Sequence, residues 1–312
     1  MSTGKRVAAV DCGTNSIRLL VADLDPDTGA ETEIERRMEI VRLGQGVDAT
    51  GRLADEALER TFAACDRYAE AIRGHGAEQV RFVATSATRD ASNRDAFVAG
   101  VRERLGVEPE VISGHEEAEL SFRGATSALA TAAVAHDTPY LVVDIGGGST
   151  EFVLGTGTVE AARSVDVGCV RMTERHLNDD PPTLAQVTAA RRDIDAAIDL
   201  AAQTVDLSRA KTLVGLAGSV TTIAAIALGL EEYDRARVHL SRIPAEVIRQ
   251  TAADLLAMSH AQRAAIPVIH PGRVDVIAAG ALILAQIVER LGLPELVVSE
   301  HDILDGIALS QQ

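Results

Sequence analysis

Short apolar runs alternate along this chain with segments of helical spacing. Arg6–Val10 reads as a buried strand, Ile17–Asp23 as the next one, and Pro26–Gly29 as a turn. Leu58, Phe62, Cys65, Tyr68, Ala69 and Ile72 share one helical face, predicting a helix over Leu53–Arg73 stopped by Gly74. Val80–Ala84 is a strand, Ser92-x-x-Asp95 opens a helix to about Leu105 before Gly106, and Pro109–Ile112 is a short strand. Ser113-x-x-Glu116 is a capping box that opens the next helix. Tyr140–Val143 has the composition of a strand buried on both faces, and Glu151–Leu154 follows it. Thr183-x-x-Gln186 caps a long helix to about Thr204. Thr212–Leu216 is a strand, and Ala217-Gly218-Ser219 opens a helix. Pro244 suits the first position of another helix. Arg273–Leu291 is a helix ended by Gly292, Leu296–Ser299 a strand, and a last helix starts near Asp302. Strands alternating with helices predict α/β layers.

Part of the pattern occurs twice. Val7–Gly13 and Leu141–Gly146 both run from buried strand through Asp to Gly, with Asp11 and Asp144 lying 133 residues apart. Phe82–Ser86 and Val214–Gly218, at nearly the same offset, both run strand, small-residue turn, helix. Two similar lobes are expected, with the small-residue stretch Ala125–Thr138 as the boundary. That places residues 1–125 with about 300–312 in lobe I and 126–299 in lobe II.

Composition narrows the classes. With 312 residues, 46% hydrophobic and 24% charged, the chain is globular and large enough for two domains. Aromatics are only 3% and Trp is absent, so the core is aliphatic. The net charge of −16 argues against nucleic-acid or anionic-membrane partners, and it requires local cations around any polyanionic substrate. Cys12, Cys65 and Cys169 form no C-x-x-C pair, which fits a reducing compartment. No leader is read, because the apolar run after Lys5 and Arg6 stops at Asp11, and no membrane span, because the longest apolar stretch, near Val276–Val288, is broken by Gln286. A cytoplasmic protein is expected.

The candidate chemistry sits at strand ends. Asp144-Ile-Gly146-Gly147-Gly148-Ser149 places three glycines after a buried strand, so backbone N–H groups can approach an anion, with Ser149 and Thr150 as further donors. A plain hairpin needs fewer glycines. Asp144 and Glu151 are suited to hold a divalent cation that binds phosphate. Gly13-Thr14-Asn15-Ser16 is the duplicate loop, and Gly218-Ser219 at a helix start is a third anion candidate, equally explained as a helix cap. Arg89, after a strand, is either a phosphate clamp or a surface residue. In Ser113-Gly-His115-Glu116-Glu117-Ala-Glu119, Glu116 is explained by capping and Glu119 by solvent. Glu117 shares a partly apolar face with Leu120, Ser121 and Gly124 and is the candidate general base. His115, His270 and His301 read as isolated, and Cys12 and Cys169 as packed.

Six segments occur together and in order: Asp11–Ser16, Ala84–Asp90, Ile112–Ala118, Val143–Glu151, Gly168–Arg171 and Gly215–Ser219. In this combination the chain resembles the exopolyphosphatase/guanosine pentaphosphate phosphohydrolase (Ppx/GppA) family over essentially its whole length. The resemblance implies an α/β fold of two ribonuclease-H-like lobes of the actin, sugar-kinase and Hsp70 superfamily around an interdomain cleft. It places the catalytic Glu at Glu117, the conserved Arg at Arg89, metal-associated acids at Asp144 and Glu151, and the terminal phosphates in the glycine loops. Asp11 is taken with the two acids as a metal candidate. Longer members carry further helical domains, including an HD-type domain, so this chain is expected to be the short form and to favour short chains of polyphosphate.

The expected reaction is hydrolysis of the terminal phosphoanhydride of inorganic polyphosphate with Mg²⁺ or another divalent cation, Glu117 acting on water and Arg89 on phosphoryl charge. Arg18, Arg94, Arg123 and Arg171 are the other candidate cations. A homodimer is implied by the family. Three other readings stay open: removal of the γ-phosphate of guanosine pentaphosphate (pppGpp), phosphate transfer by a kinase, and a non-enzymatic sensor of polyphosphate or (p)ppGpp.

Overall fold

The computed structural model describes residues 4–25, 30–130 and 136–312, so the expected turn at Pro26–Gly29 lies outside it. Two compact units are formed, Met1–Gly124 with Ile303–Gln312, and Ala125–Asp302. The strands are β1 (Lys5–Cys12), β2 (Ser16–Leu24), β3 (Glu31–Ile40), β4 (Gln79–Ala84) and β5 (Glu110–Val111) in the first unit. The second holds β6 (Tyr140–Ile145), β7 (Thr150–Gly155), β8 (Val159–Val165), β9 (Thr212–Leu216), β10 (Arg242–Pro244) and β11 (Glu295–Val298).

The first sheet has the order β3-β2-β1-β4-β5, with β2 antiparallel and β4 parallel to β1, and β5 parallel to β4. Ala8, Val10 and Cys12 of β1 face one core with Cys65 and Tyr68 of helix Asp55–His75 and Phe97 of helix Arg94–Leu105. Val7 and Ala9 face the other way, against Leu304, Ile307 and Ala308 of helix Ile303–Leu309. Because both faces are covered, β1 is apolar without alternation. Gly306 lets this last helix touch the backbone of helix Gly114–Ala130: an added Cβ there would lie 2.0 Å from the Leu120 carbonyl oxygen. Gly306→Ala is therefore expected to cost about 1–3 kcal/mol, as overpacking does, seen as a melting temperature lower by several degrees. An unchanged melting temperature would contradict this packing.

The second sheet has the order β10-β11-β9-β6-β7-β8. Leu141, Val143 and Ile145 pack with Ile194 and Ile198 of helix Leu184–Ala202, Val220 and Ile223 of helix Ala217–Ala227, and Leu282 of helix Ile277–Leu291. That last helix is the longest apolar stretch of the sequence. It is buried from Ile277 to Val288, and the Gln286 amide nitrogen donates to Asp195 at 2.9 Å. No helix among the described residues is long and apolar enough to cross a membrane.

Setting aside the added edge strand β10, the second sheet repeats the first. β8-β7-β6-β9-β11 has the order and directions of β3-β2-β1-β4-β5. Asp11 pairs with Val83 and Asp144 with Leu216, each residue of the second pair 133 after its counterpart. The same offset relates the turn bonds Gly13 N–H to Ser16 O, 2.9 Å, and Gly146 N–H to Ser149 O, 3.0 Å. The true register of the second repeat is thus one residue from the alignment of Phe82 with Val214.

Several expected boundaries move. The capping box at Thr183 and Gln186 forms, but Ser92 and Asn93 brace a turn instead of capping. Ser92 Oγ donates to Gly51 O at 2.9 Å, and the Asn93 amide bonds both the N–H and the carbonyl of Leu53. Ser113 Oγ accepts from Glu116 N–H, while the Glu116 carboxylate pairs with Arg81 at 2.9 Å. The helix expected from Arg273 begins at Ile277, after a short 3₁₀ turn Pro271–Arg273. Pro244 is the N-cap of helix Ala245–Ala257. The expected linker Ala125–Thr138 begins as helix, to Ala130, and residues 131–135 lie outside the description. His301 is not isolated, since its ring stacks on His239 at 4.8 Å. The three cysteines are free and buried; burial pushes the Cys12 and Cys169 thiols up and Cys65 to about 12.

Candidate active site

Parallel strands gather chemistry at their carboxyl ends, and each unit places candidate residues there. In the first unit, β1 leads into Gly13–Ser16, β4 into the short helix Ser86–Asp90 with Arg89, and β5 into helix Gly114–Ala130 with Glu117 in its first turn. Thr14 and Ser86 hydroxyls bond at 2.9 Å and tie the first two together. The loop is braced from behind. Asn15 O accepts from Val41 and Arg42 N–H, and Thr14 O accepts from Gly44 N–H at 2.8 Å. A Cβ on Gly44 would meet Thr14 Cγ2 at 2.2 Å.

Arg89 and Glu117 form an ion pair, Nη1 to Oε2, at 3.0 Å, and the same Nη1 donates to Ile112 O at 3.0 Å. Glu117 is 7% exposed. Both bonds of Arg89 leave through one nitrogen. Among the described residues Nε and Nη2 have no protein acceptor, so one edge of the guanidinium fork remains for phosphate oxygens. The pair thus combines a carboxylate fixed in orientation with a cation that has donors to spare.

Asp11 is buried and accepts from Arg18 Nε and Nη2, at 3.0 and 2.7 Å. Its charge is already offset by a guanidinium. Of the other candidate cations, Arg94 is exposed, and Arg123 donates to Gln312 Oε1 at 3.2 Å.

In the second unit, Asp144 and Glu151 stand directly opposite each other on β6 and β7. Cross-strand partners point to the same face. Both are buried, and Ser164 Oγ donates to Glu151 Oε1 at 2.7 Å. Two adjacent carboxylates out of water fit a hard divalent cation, which takes oxygen donors. Among the described residues no group of three or more His, Cys, Asp and Glu gathers. An ion here would complete its shell from water or phosphate, as Mg²⁺ does.

Gly146–Ser149 joins β6 to β7 and packs on the start of helix Cys169–His176. Cys169 N–H donates to Gly146 O at 2.9 Å, and Val170 and Arg171 N–H donate to Gly147 O at 2.8 and 3.1 Å. The approach needs Gly168, whose added Cβ would lie 2.4 Å from Gly147 carbonyl atoms. Arg171 Nε donates to Gly148 O at 2.7 Å. Thr150, expected as a phosphate donor, instead gives its hydroxyl to Val167 O at 2.6 Å.

After β9, Ala217 adopts φ +68°, a strained value for a residue with a side chain. Ser219 is turned inward. It lies against Gly280, where a Cβ would come within 2.3 Å of its hydroxyl, and it hydrogen-bonds Cys169, which offsets part of the upward push of burial on that thiol. Only its backbone is left for an anion. Gly218 carries a feature that sequence reading missed: the Arg273 guanidinium lies over it, so close that a Cβ would fall 1.4 Å from Nη1. The same guanidinium acts electrostatically on Cys169 and on Tyr233, which donates to Glu300. Nothing local marks Arg273, 55 residues beyond Gly218, as part of this turn.

The sequence profile of the Ppx/GppA phosphatase family matches residues 22–312. Over 316 aligned residues the chain is 52% identical to exopolyphosphatase 2 of Mycobacterium tuberculosis, with 98% of both chains covered. A crystal structure of an exopolyphosphatase-like protein matches at TM-score 0.94 and 45% identity over 98% of both chains. A structure of the Aquifex aeolicus member of the Ppx/GppA family matches at TM-score 0.80 and 30% identity, covering 98% of this chain and 97% of that one.

Proposed function

Because the chain belongs to the Ppx/GppA phosphatase family, we propose that it is an exopolyphosphatase, hydrolysing the terminal phosphoanhydride of inorganic polyphosphate to release orthophosphate. The observation that carries the reading is the Arg89–Glu117 pair: an oriented carboxylate beside a guanidinium with an edge left for phosphate.

The chemistry divides among the residues. Glu117 orients a water and takes its proton as the water oxygen bonds to the terminal phosphorus. The bridging P–O bond breaks, and the leaving oxygen stays on the shortened chain. Phosphoryl transfer asks the protein for positioning and charge more than for covalent chemistry. Arg89 meets the charge on the phosphoryl oxygens. The N–H groups of Gly147, Gly148 and Ser149 supply neutral donors that need no reorganisation. Asp144 and Glu151 would hold Mg²⁺ or a similar divalent cation, which would offset substrate charge when bound. Arg89 and the cation together balance the three carboxylates Glu117, Asp144 and Glu151, so the substrate would not meet the chain's net charge of −16 there. The three free thiols suit a reducing compartment, and we place the protein in the cytoplasm.

Side-by-side orthophosphate release with Mg²⁺ from polyphosphate, pppGpp and ATP tests the reading. Polyphosphate is expected to be the best substrate by kcat/KM. A higher value for pppGpp would assign the protein to the alarmone reaction instead, and phosphate reaching an added acceptor would make it a kinase.

A further inference from the structure

We propose that Arg171 is a positioning residue that aims the phosphate-binding N–H groups of the glycine turn through its Nε–H. The inference rests on the reading of Gly146–Ser149 as a phosphate seat.

The carbonyls of Gly146, Gly147 and Gly148 are all taken from one side. Cys169, Val170 and Arg171 N–H engage the first two, and Arg171 Nε engages the third at 2.7 Å. A trans peptide is planar, with the carbonyl of one residue and the N–H of the next pointing in opposite directions. Fixing three carbonyls towards helix Cys169–His176 therefore turns the N–H groups of Gly147, Gly148 and Ser149 to the opposite side, together. That is a nest of donors set before the anion arrives. Backbone donors at the helix start serve the first two peptides. The third, which carries the Ser149 N–H, is fixed by the Arg171 side chain. Read from sequence alone Arg171 is a candidate substrate cation; its contact with Gly148 O gives it a different task.

Two substitutions separate donor from charge. In Gln, Nε2 stands at the same place along the side chain as Arg Nε and carries N–H without charge. In Lys, that place is a methylene and the charge lies one atom further out. Arg171→Gln is expected to retain more of the wild-type kcat/KM for polyphosphate than Arg171→Lys, which is expected to lose about tenfold, the worth of one hydrogen bond. Melting temperatures check that both fold. A substrate-contacting cation gives the reverse order, and a purely structural Arg gives losses that track stability. Any result in which Gln does not outperform Lys overturns the proposal. Gly168→Ala, which pushes on Gly147 without touching Arg171, distinguishes the two levels. If it is impaired while both Arg171 variants match wild type, the proposal fails alone. If all three match wild type, the turn is not the phosphate seat and both fail.

Discussion

Glu117→Gln is expected to lower kcat for phosphate release from polyphosphate by about 10²–10⁴-fold, the usual contribution of a general base, and to leave polyphosphate affinity nearly unchanged. The amide is the sharpest probe because it removes the proton acceptor and little else. Its oxygen still accepts from Arg89 Nη1, as Glu117 Oε2 does at 3.0 Å, so the guanidinium keeps its place through Ile112 O and the amide together. In the proposed site, binding rests on Arg89 and the loop N–H groups and would not depend on the lost charge. Equilibrium binding of a fluorescent-labelled polyphosphate and single-turnover kinetics separate the two quantities. A variant turning over within threefold of wild type would remove Glu117 from its role, and a variant that no longer binds would make it a structural partner of Arg89.

The second large effect lies in the other unit. Asp144→Asn and Glu151→Gln are each expected to raise the Mg²⁺ concentration needed for half-maximal rate by at least the 10–100-fold that loss of an outer-shell partner typically costs a metal site. The two carboxylates are directly opposite on β6 and β7 and both buried. Calorimetric titration of Mn²⁺ gives a readout independent of turnover. Unchanged cation dependence in both variants would remove the pair from metal binding.

What the sequence made legible followed one physical rule: elements buried uniformly, or alternating between core and water, declare themselves in their own residue pattern. β1, β6 and β9 were readable because both faces are buried and the runs are apolar. β3 was not, because Glu31–Ile40 is an edge strand whose charged side chains protect its open side, and its pairing with β2 shifts register opposite Val21/Ala22. β8 and the short edge strand β10 escaped for the same reason. The site divides similarly. Glu117, Arg89, the two glycine turns, and Asp144 with Glu151 were marked by motif and duplication. Their supports were not. Gly168 on Gly147, Gly280 on Ser219, Gly306 on Leu120 and Arg273 on Gly218 are close approaches between segments far apart in the chain. Ser219 and Thr150 show the converse. Each is the right residue type at a loop, yet packing turns the Ser219 hydroxyl against Gly280 and gives the Thr150 hydroxyl to Val167. The first pair of the duplication was set by Asp11 and Asp144, but only strand pairing gives the second its register, Val83 with Leu216.

The most direct test of the central claim is the product pattern from polyphosphate of one defined length with Mg²⁺, followed by gel electrophoresis and phosphorus NMR. Terminal hydrolysis predicts orthophosphate as the one small product from the earliest time, with the remaining chains shortening from the end. Intermediate-length fragments appearing before orthophosphate, or no orthophosphate from a folded protein that binds the chain, would contradict the account.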